Sequence, residues 1–205
     1  MDKFTRLTAT ACPLNFPNLN TDQIVPARFL KQPRSAGFGP MLFHDLRLDA
    51  QGRERDFPLN RAVWRGAKIV VGARNFGCGS SREGAVYALH DYGIRCVIAP
   101  SFGDIFAGNG AQNGLLTAIV TEEEAAEIMA ALQQRPELPL TVDLDQQTIV
   151  CGNRTYNFKI DPARRVRLLN GWDDIALTES YRDRIAAFKA DDRGRRPWAV
   201  PRASP

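Results

Sequence analysis

The sequence predicts an α/β domain whose central sheet is mostly parallel and flanked by helices. Three observations point there. Strand-like and helix-like segments alternate between Ala67 and Pro136, the arrangement that places parallel strands under crossover helices. Three further strand-like segments follow as a meander between Leu140 and Ile160. Finally, 205 residues with 44% hydrophobic content suffice for one substantial core and a few peripheral elements. A single domain over residues 1–190 is expected, followed by a Pro- and Arg-rich tail over 191–205 that reads as mobile.

Up to Gly66 the chain is rich in Pro, Gly and Asn, with short apolar pieces such as Gln23 to Val25 and Ala27 to Leu30 between turn signals; strands and long loops are expected. Ala67 to Gly72, AKIVVG, is a short β-branched run that reads as a buried strand. A glycine-rich turn follows, then a helix with Ala85, Ala88 and Leu89 on one face, for which Ser80 and Glu83 have the spacing of a capping box. Cys96 to Ala99 and Leu115 to Val120 are the next strands, with a turn or helix started by Ser101 and Asp104 between them. Thr121 and Glu124 form another capping box, opening a helix that must end before Pro136. Leu140 to Leu144, Thr148 to Cys151 and Thr155 to Ile160 read as the β-meander. Helices are expected over Pro162 to Leu169 and from about Asp173 to Lys189.

Composition excludes several classes of function. Charged residues are 24% of the chain with both signs dispersed, the profile of a globular protein and not a disordered one. The net charge is +4, but the basic residues form no dense run outside Arg193, Arg195 and Arg196; a nucleic-acid partner is not expected. A positive balance suits a substrate bearing carboxylates. Cys12, Cys78, Cys96 and Cys151 are scattered, without the close pairs of zinc or iron–sulfur sites, so no metal site is expected in this chain. No stretch approaches the roughly 20 apolar residues of a membrane span, and the first residues lack a signal-peptide pattern. A reducing cytoplasm is the expected setting.

The segment richest in chemistry is Asn75 to Glu83, NFGCGSSRE, between a predicted strand and a helix N-terminus. Its glycines let backbone approach a ligand, and first-turn amides favour an anion. Arg82 adds a planar cationic fork suited to a carboxylate, beside the hydroxyls of Ser80 and Ser81. A dinucleotide fingerprint would need glycine at Arg82, a phosphate-binding P-loop would need Gly-Lys-Ser/Thr, and a nucleophile elbow would need a second glycine after the serine; none fits. The two histidines, His44 and His90, have no motif tying them to Ser80. The residues alone leave two readings open: an anion site, or a plain helix cap with a solvated arginine.

NFGCGSSRE resembles the signature of the aconitase superfamily's swivelling domain, specifically that of the isopropylmalate dehydratase small subunits. Asn20 to Leu30, NTDQIVPARFL, resembles the family's early motif, and Asp91 to Phe106, DYGIRCVIAPSFGDIF, resembles its next one. Asn113 to Leu116, Ile160-Asp161 and Asn170-Gly171 also have counterparts, so the likeness spans nearly the whole chain in the family's order. It implies a swivelling β/β/α domain and a separate large subunit bearing a [4Fe-4S] cluster. The implied reaction moves a hydroxyl between neighbouring carbons of a 2-substituted malate by removing and re-adding water; the partner molecules are thus a large subunit and a small di- or tricarboxylate.

Carried over by position, the resemblance implies Ser80 as an alkoxide base, Ser81 as a hydrogen-bonding partner and Arg82 as the clamp on a substrate carboxylate. Asp22 would orient a histidine of the large subunit; by its local sequence it is an ordinary Asx-turn residue. Thr21 and Gly79 would lie against substrate, as would Leu30 and Lys31 at the start of Leu30 to Gly39, the position of the family's substrate-sizing loop. Gly84 departs from the histidine usual after Ser-Ser-Arg-Glu, and Val86 and Tyr87 replace the usual proline and tryptophan. These departures fit a paralogue acting on citraconate or dimethylmalate, or a non-catalytic anion-binding duplicate.

Overall fold

The computed structural model describes residues 1–80 and 82–199; Ser81 and residues 200–205 lie outside the described residues. Among those described, the strands are β1 (Arg6–Leu14), β2 (Ile69–Gly72), β3 (Cys96–Ala99), β4 (Leu116–Ile119), β5 (Pro139–Asp143), β6 (Thr148–Cys151) and β7 (Arg154–Asn157). The α-helices are α1 (Thr21–Ile24), α2 (His44–Arg47), α3 (Glu83–Tyr92), α4 (Asp104–Gln112), α5 (Glu122–Gln134), α6 (Pro162–Asn170), α7 (Asp174–Glu179) and α8 (Arg182–Arg195).

The seven strands form one mixed sheet in the order β4-β3-β2-β1-β5-β6-β7. From β4 to β1 the pairs are parallel, and from β1 to β7 they are antiparallel. The switch happens within β1. Arg6 to Thr10 pair with β5, whereas Ala11 to Leu14 pair with β2, so one strand joins the predicted parallel unit to the predicted meander.

Strand residues alternate between two cores, as the period of two requires. Cys12, Leu14, Val70, Val97 and Ala99 face one side, where α3 and the phenylalanines Phe38, Phe43, Phe57, Phe76 and Phe106 complete the packing. Ala11, Ile69, Val71, Cys96, Ile98, Leu116 and Ala118 face the other, against Ala125, Ile128, Met129 and Leu132 of α5 and Leu168 of α6. Helix α5 has the predicted capping box: the Glu124 amide donates to Thr121 Oγ1 at 3.1 Å and the Thr121 amide to Glu124 Oε2 at 2.8 Å. Glu122, Glu123 and Glu124 place negative charge at the positive end of the helix.

Three expectations need correction. The apolar pieces near the start are helical turns: Asn20 caps α1 through a capping box with Gln23, and Ala27–Lys31 forms a 3-10 turn after Pro26. Asn and Pro set these local bends more strongly than the short apolar runs favour extension. The single helix expected from Asp173 breaks into α7 and α8 at Ser180-Tyr181. The predicted tail therefore begins inside α8, whose residues bury nothing. The third concerns the cap of α3 and bears on the site.

Candidate active site

Three segments converge at the start of α3: Asn18 to Asp22, Asn75 to Arg82 and Ser101 to Asp104. Backbone bonds lace them. The Gly77 amide donates to the Leu19 carbonyl at 2.7 Å and the Thr21 amide to the Cys78 carbonyl at 2.9 Å. The Phe76 amide donates to Ser101 O and the Gly103 amide to Phe76 O, both at 3.0 Å. Side chains add the Asn75 amide to Ser101 Oγ at 2.8 Å and Asn75 Nδ2 to Asn18 Oδ1 at 2.9 Å. Cys78 is half-buried and its thiol donates to Asn18 O, which fits a packing role. Below the loop, Phe76 and Phe106 rings lie 5.6 Å apart.

Two glycines make this convergence possible. Gly77 has φ +70°, and a Cβ there would lie 2.3 Å from the Phe106 ring. A Cβ on Gly103 would lie 2.5 Å from the carbonyl oxygen of Gly77, a backbone atom that cannot yield without moving the loop. Gly103→Ala is therefore expected to cost about 1–3 kcal/mol of folding stability, as overpacking does; denaturant titration checks it, and an unchanged midpoint would show that the segments need not be so close.

The capping box predicted for Ser80 and Glu83 is not formed. The N-cap of α3 is Arg82, without a side-chain cap bond, and the Glu83 carboxylate instead accepts from Asn113 Nδ2 at 3.0 Å. The cause lies in the loop. Gly79 turns at φ +94°, and Thr21 Oγ1 donates to the Ser80 carbonyl at 2.9 Å, so Ser80 is held before the helix begins. Its side chain is exposed and not consumed as a cap. This removes half of the plain-cap reading.

Arg82 removes the other half. Its side chain is only 20% exposed and is ion-paired through Nη1 to Oδ1 of Asp22, which is 52% exposed. Within this chain Asp22 thus holds the arginine, while Asn20 supplies the cap of α1. The structure brings Asp22, Gly79, Ser80 and Arg82 onto one open face at the N-terminus of α3, whereas Thr21, expected against substrate, is 2% exposed and lies beneath that face with its hydroxyl on the Ser80 carbonyl. Leu30 reaches the first turn of α3 at Gly84, and Lys31 ends the 3-10 turn, exposed. The sequence, which marks Ser101 only as the start of a turn or helix, gives no sign that its hydroxyl and carbonyl hold the loop entrance, nor of the pair Arg34–Asp91. Residues so distant along the chain leave no local pattern.

Among the described residues, no group of three His, Cys, Asp or Glu is arranged to hold a metal ion, and no helix is long and apolar enough to cross a membrane. Burial raises the thiols of Cys12, Cys96 and Cys151, which opposes the thiolate form that metals need. His44 Nδ1 donates to the Asp45 carboxylate at 3.0 Å, and its ring packs on Phe29. His90 is lowered by burial and then by Arg95.

Comparison with known proteins agrees with this geometry. The family model described as Aconitase C-terminal domain matches residues 1–123, and one described as LeuD_N matches residues 126–162. The fold and the loop at the start of α3 are those of an aconitase-type C-terminal domain. The chain is 48% identical to a 3-isopropylmalate dehydratase small subunit of Rhodospirillum centenum, over 98% of this chain and 100% of that protein. It is 46% identical to one of Dinoroseobacter shibae, over 97% and 100% respectively. A solved 3-isopropylmalate dehydratase structure from Methanocaldococcus jannaschii is 25% identical and covers 90% of this chain and 99% of its own, with a TM-score of 0.64. The chain belongs to the family of 3-isopropylmalate dehydratase small subunits.

Proposed function

We propose that the chain is the small half of a cytoplasmic two-subunit hydro-lyase that interconverts 2-isopropylmalate and 3-isopropylmalate in leucine biosynthesis. The observation that carries this reading is the pairing, on one open face, of an exposed Ser80 that caps nothing with an Arg82 held by Asp22. Moving a hydroxyl between adjacent carbons requires a base for a weakly acidic C–H proton, cations for the carboxylates and a Lewis acid for the departing oxygen. The first two can come from this chain. The third is the chemistry of a [4Fe-4S] cluster on the large subunit, in keeping with a chain whose own thiols are scattered and mostly buried.

Ser80 Oγ removes and returns the carbon-bound proton. Serine is a very weak acid, so its alkoxide depends on the amides at the start of α3, the helix dipole and the neighbouring guanidinium. Thr21 fixes the base by holding its carbonyl, Gly79 lets substrate approach the backbone, and Arg82 grips a carboxylate. Ser81 is assigned a hydrogen bond to the substrate on the family pattern. Leu30 and Lys31 edge the site on the side of the substrate's alkyl group.

Mixing the purified chain with the large subunit of its family, carrying an intact cluster, is expected to give dehydration of 2-isopropylmalate, followed by absorbance of the conjugated alkene. No turnover in that mixture would overturn the reading and leave an anion-binding duplicate. A second reading, a dehydratase for dimethylmalate or citraconate, is favoured by one observation: Gly84 lacks a side chain and Leu30 occupies the space. Citraconate or dimethylmalate turned over faster than the isopropyl compounds would establish it.

A further inference from the structure

We infer that Gly84 is a specificity-determining position: its missing side chain seats Leu30 on the first turn of α3, and this seat sets how closely the Leu30 to Gly39 segment approaches the substrate's alkyl group. The inference rests on the function proposed above and adds the device that tunes its selectivity.

A Cβ built on Gly84 meets Leu30 Cδ2 at 2.7 Å and Phe38 Cε1 at 3.6 Å. Gly84 is buried beneath these side chains, whereas Leu30 remains 37% exposed. One side of the leucine therefore covers the helix at Gly84, two residues along the chain from Arg82, and the other faces outward. The remainder of the segment is fastened to the same helix. The Arg34 guanidinium lies 4.4 Å from the centre of the Tyr87 ring and donates to both oxygens of Asp91 at 2.6 and 2.7 Å. The Phe38 amide donates to Asp91 Oδ2 at 2.7 Å, and a Cβ on Gly39 would lie 3.0 Å from the Asp91 backbone. Positions 84, 87 and 91 fall on one helical face, so α3 carries the anion site at its start and the segment along its side.

The two ends of this attachment differ in stiffness. At Asp91 the contacts are paired hydrogen bonds and backbone against backbone. Burial raises that carboxyl, but Arg34 and the Phe38 amide outweigh it and hold the group below the usual carboxylate range, so the clamp stays charged at neutral pH. At Gly84 the contact is the far end of a flexible side chain, which rotates or shifts when crowded. A side chain at 84 would thus move Leu30 and leave the distal clamp in place.

The test uses the complete two-subunit complex. Gly84→Ala is expected to fold with an unchanged or raised unfolding midpoint, because alanine favours the helix. The ratio of kcat/KM for 2-isopropylmalate over 2-methylmalate is expected to change about tenfold, the scale on which apolar pockets distinguish groups differing by a carbon or two. In a Leu30→Ala background the same substitution is expected to leave the ratio unchanged, since nothing remains to be displaced. Leu30→Ala alone, which tests the wall without altering the helix, is expected to shift the ratio too. Equal selectivity in the unmodified complex and both single variants would overturn this inference alone; turnover of no alkylmalate by the unmodified complex would overturn it together with the proposed function.

Discussion

Ser80→Ala is expected to lower kcat by roughly 10²–10⁴-fold, the usual contribution of a positioned general base, while the subunits still associate. The structure makes this substitution clean. Ser80 is exposed, the helix is capped at Arg82 and not by the Ser80 hydroxyl, and the residue is held through its carbonyl by Thr21. None of these attachments uses Oγ, so alanine removes the oxygen and leaves the loop. KM is expected to change little, because the carboxylates are gripped elsewhere. Exchange of the substrate's carbon-bound proton with deuterated solvent, read by NMR, should fall in parallel with turnover. Near-normal exchange in a correctly assembled complex would remove Ser80 as the base.

Much of the fold was legible because its signals are local. The β-branched run at Ile69 to Val71, the capping box at Thr121 and Glu124 and the glycine between β6 and β7 each act within a few residues. The central strand is not legible in the sequence, for a physical reason. RLTATACPL carries few large apolar residues, and its role comes from pairing with β5 along its first half and β2 along its second, which only the assembled sheet reveals. The site was legible in its residues and not in its wiring. Serine three residues before glutamate reads as a capping box, yet Gly79 and Thr21 hold Ser80 outside the helix and Asn113 takes the glutamate. The Arg34–Asp91 clamp spans 57 positions, beyond the reach of any sequence pattern.

Arg82→Lys is expected to raise KM for the substrate by about 10- to 150-fold, with a smaller effect on kcat. The effect comes from geometry. The guanidinium gives one nitrogen to Asp22 and keeps its remaining N–H groups for a carboxylate, a division that the compact ammonium of lysine cannot reproduce. Losing one charge-assisted hydrogen bond costs about 1.5–3 kcal/mol, which converts to the stated range at about 1.4 kcal/mol per tenfold. The same geometry makes a claim about Asp22. If the aspartate acts by aiming Arg82, Asp22→Asn raises KM in the unmodified chain but adds little once Arg82 is lysine, because the residue it aims is already gone. If it acts on a histidine of the large subunit, as the family resemblance implies, the two effects multiply. A double-mutant cycle on KM separates the cases, and an unchanged KM in Arg82→Lys would remove the arginine from substrate binding altogether.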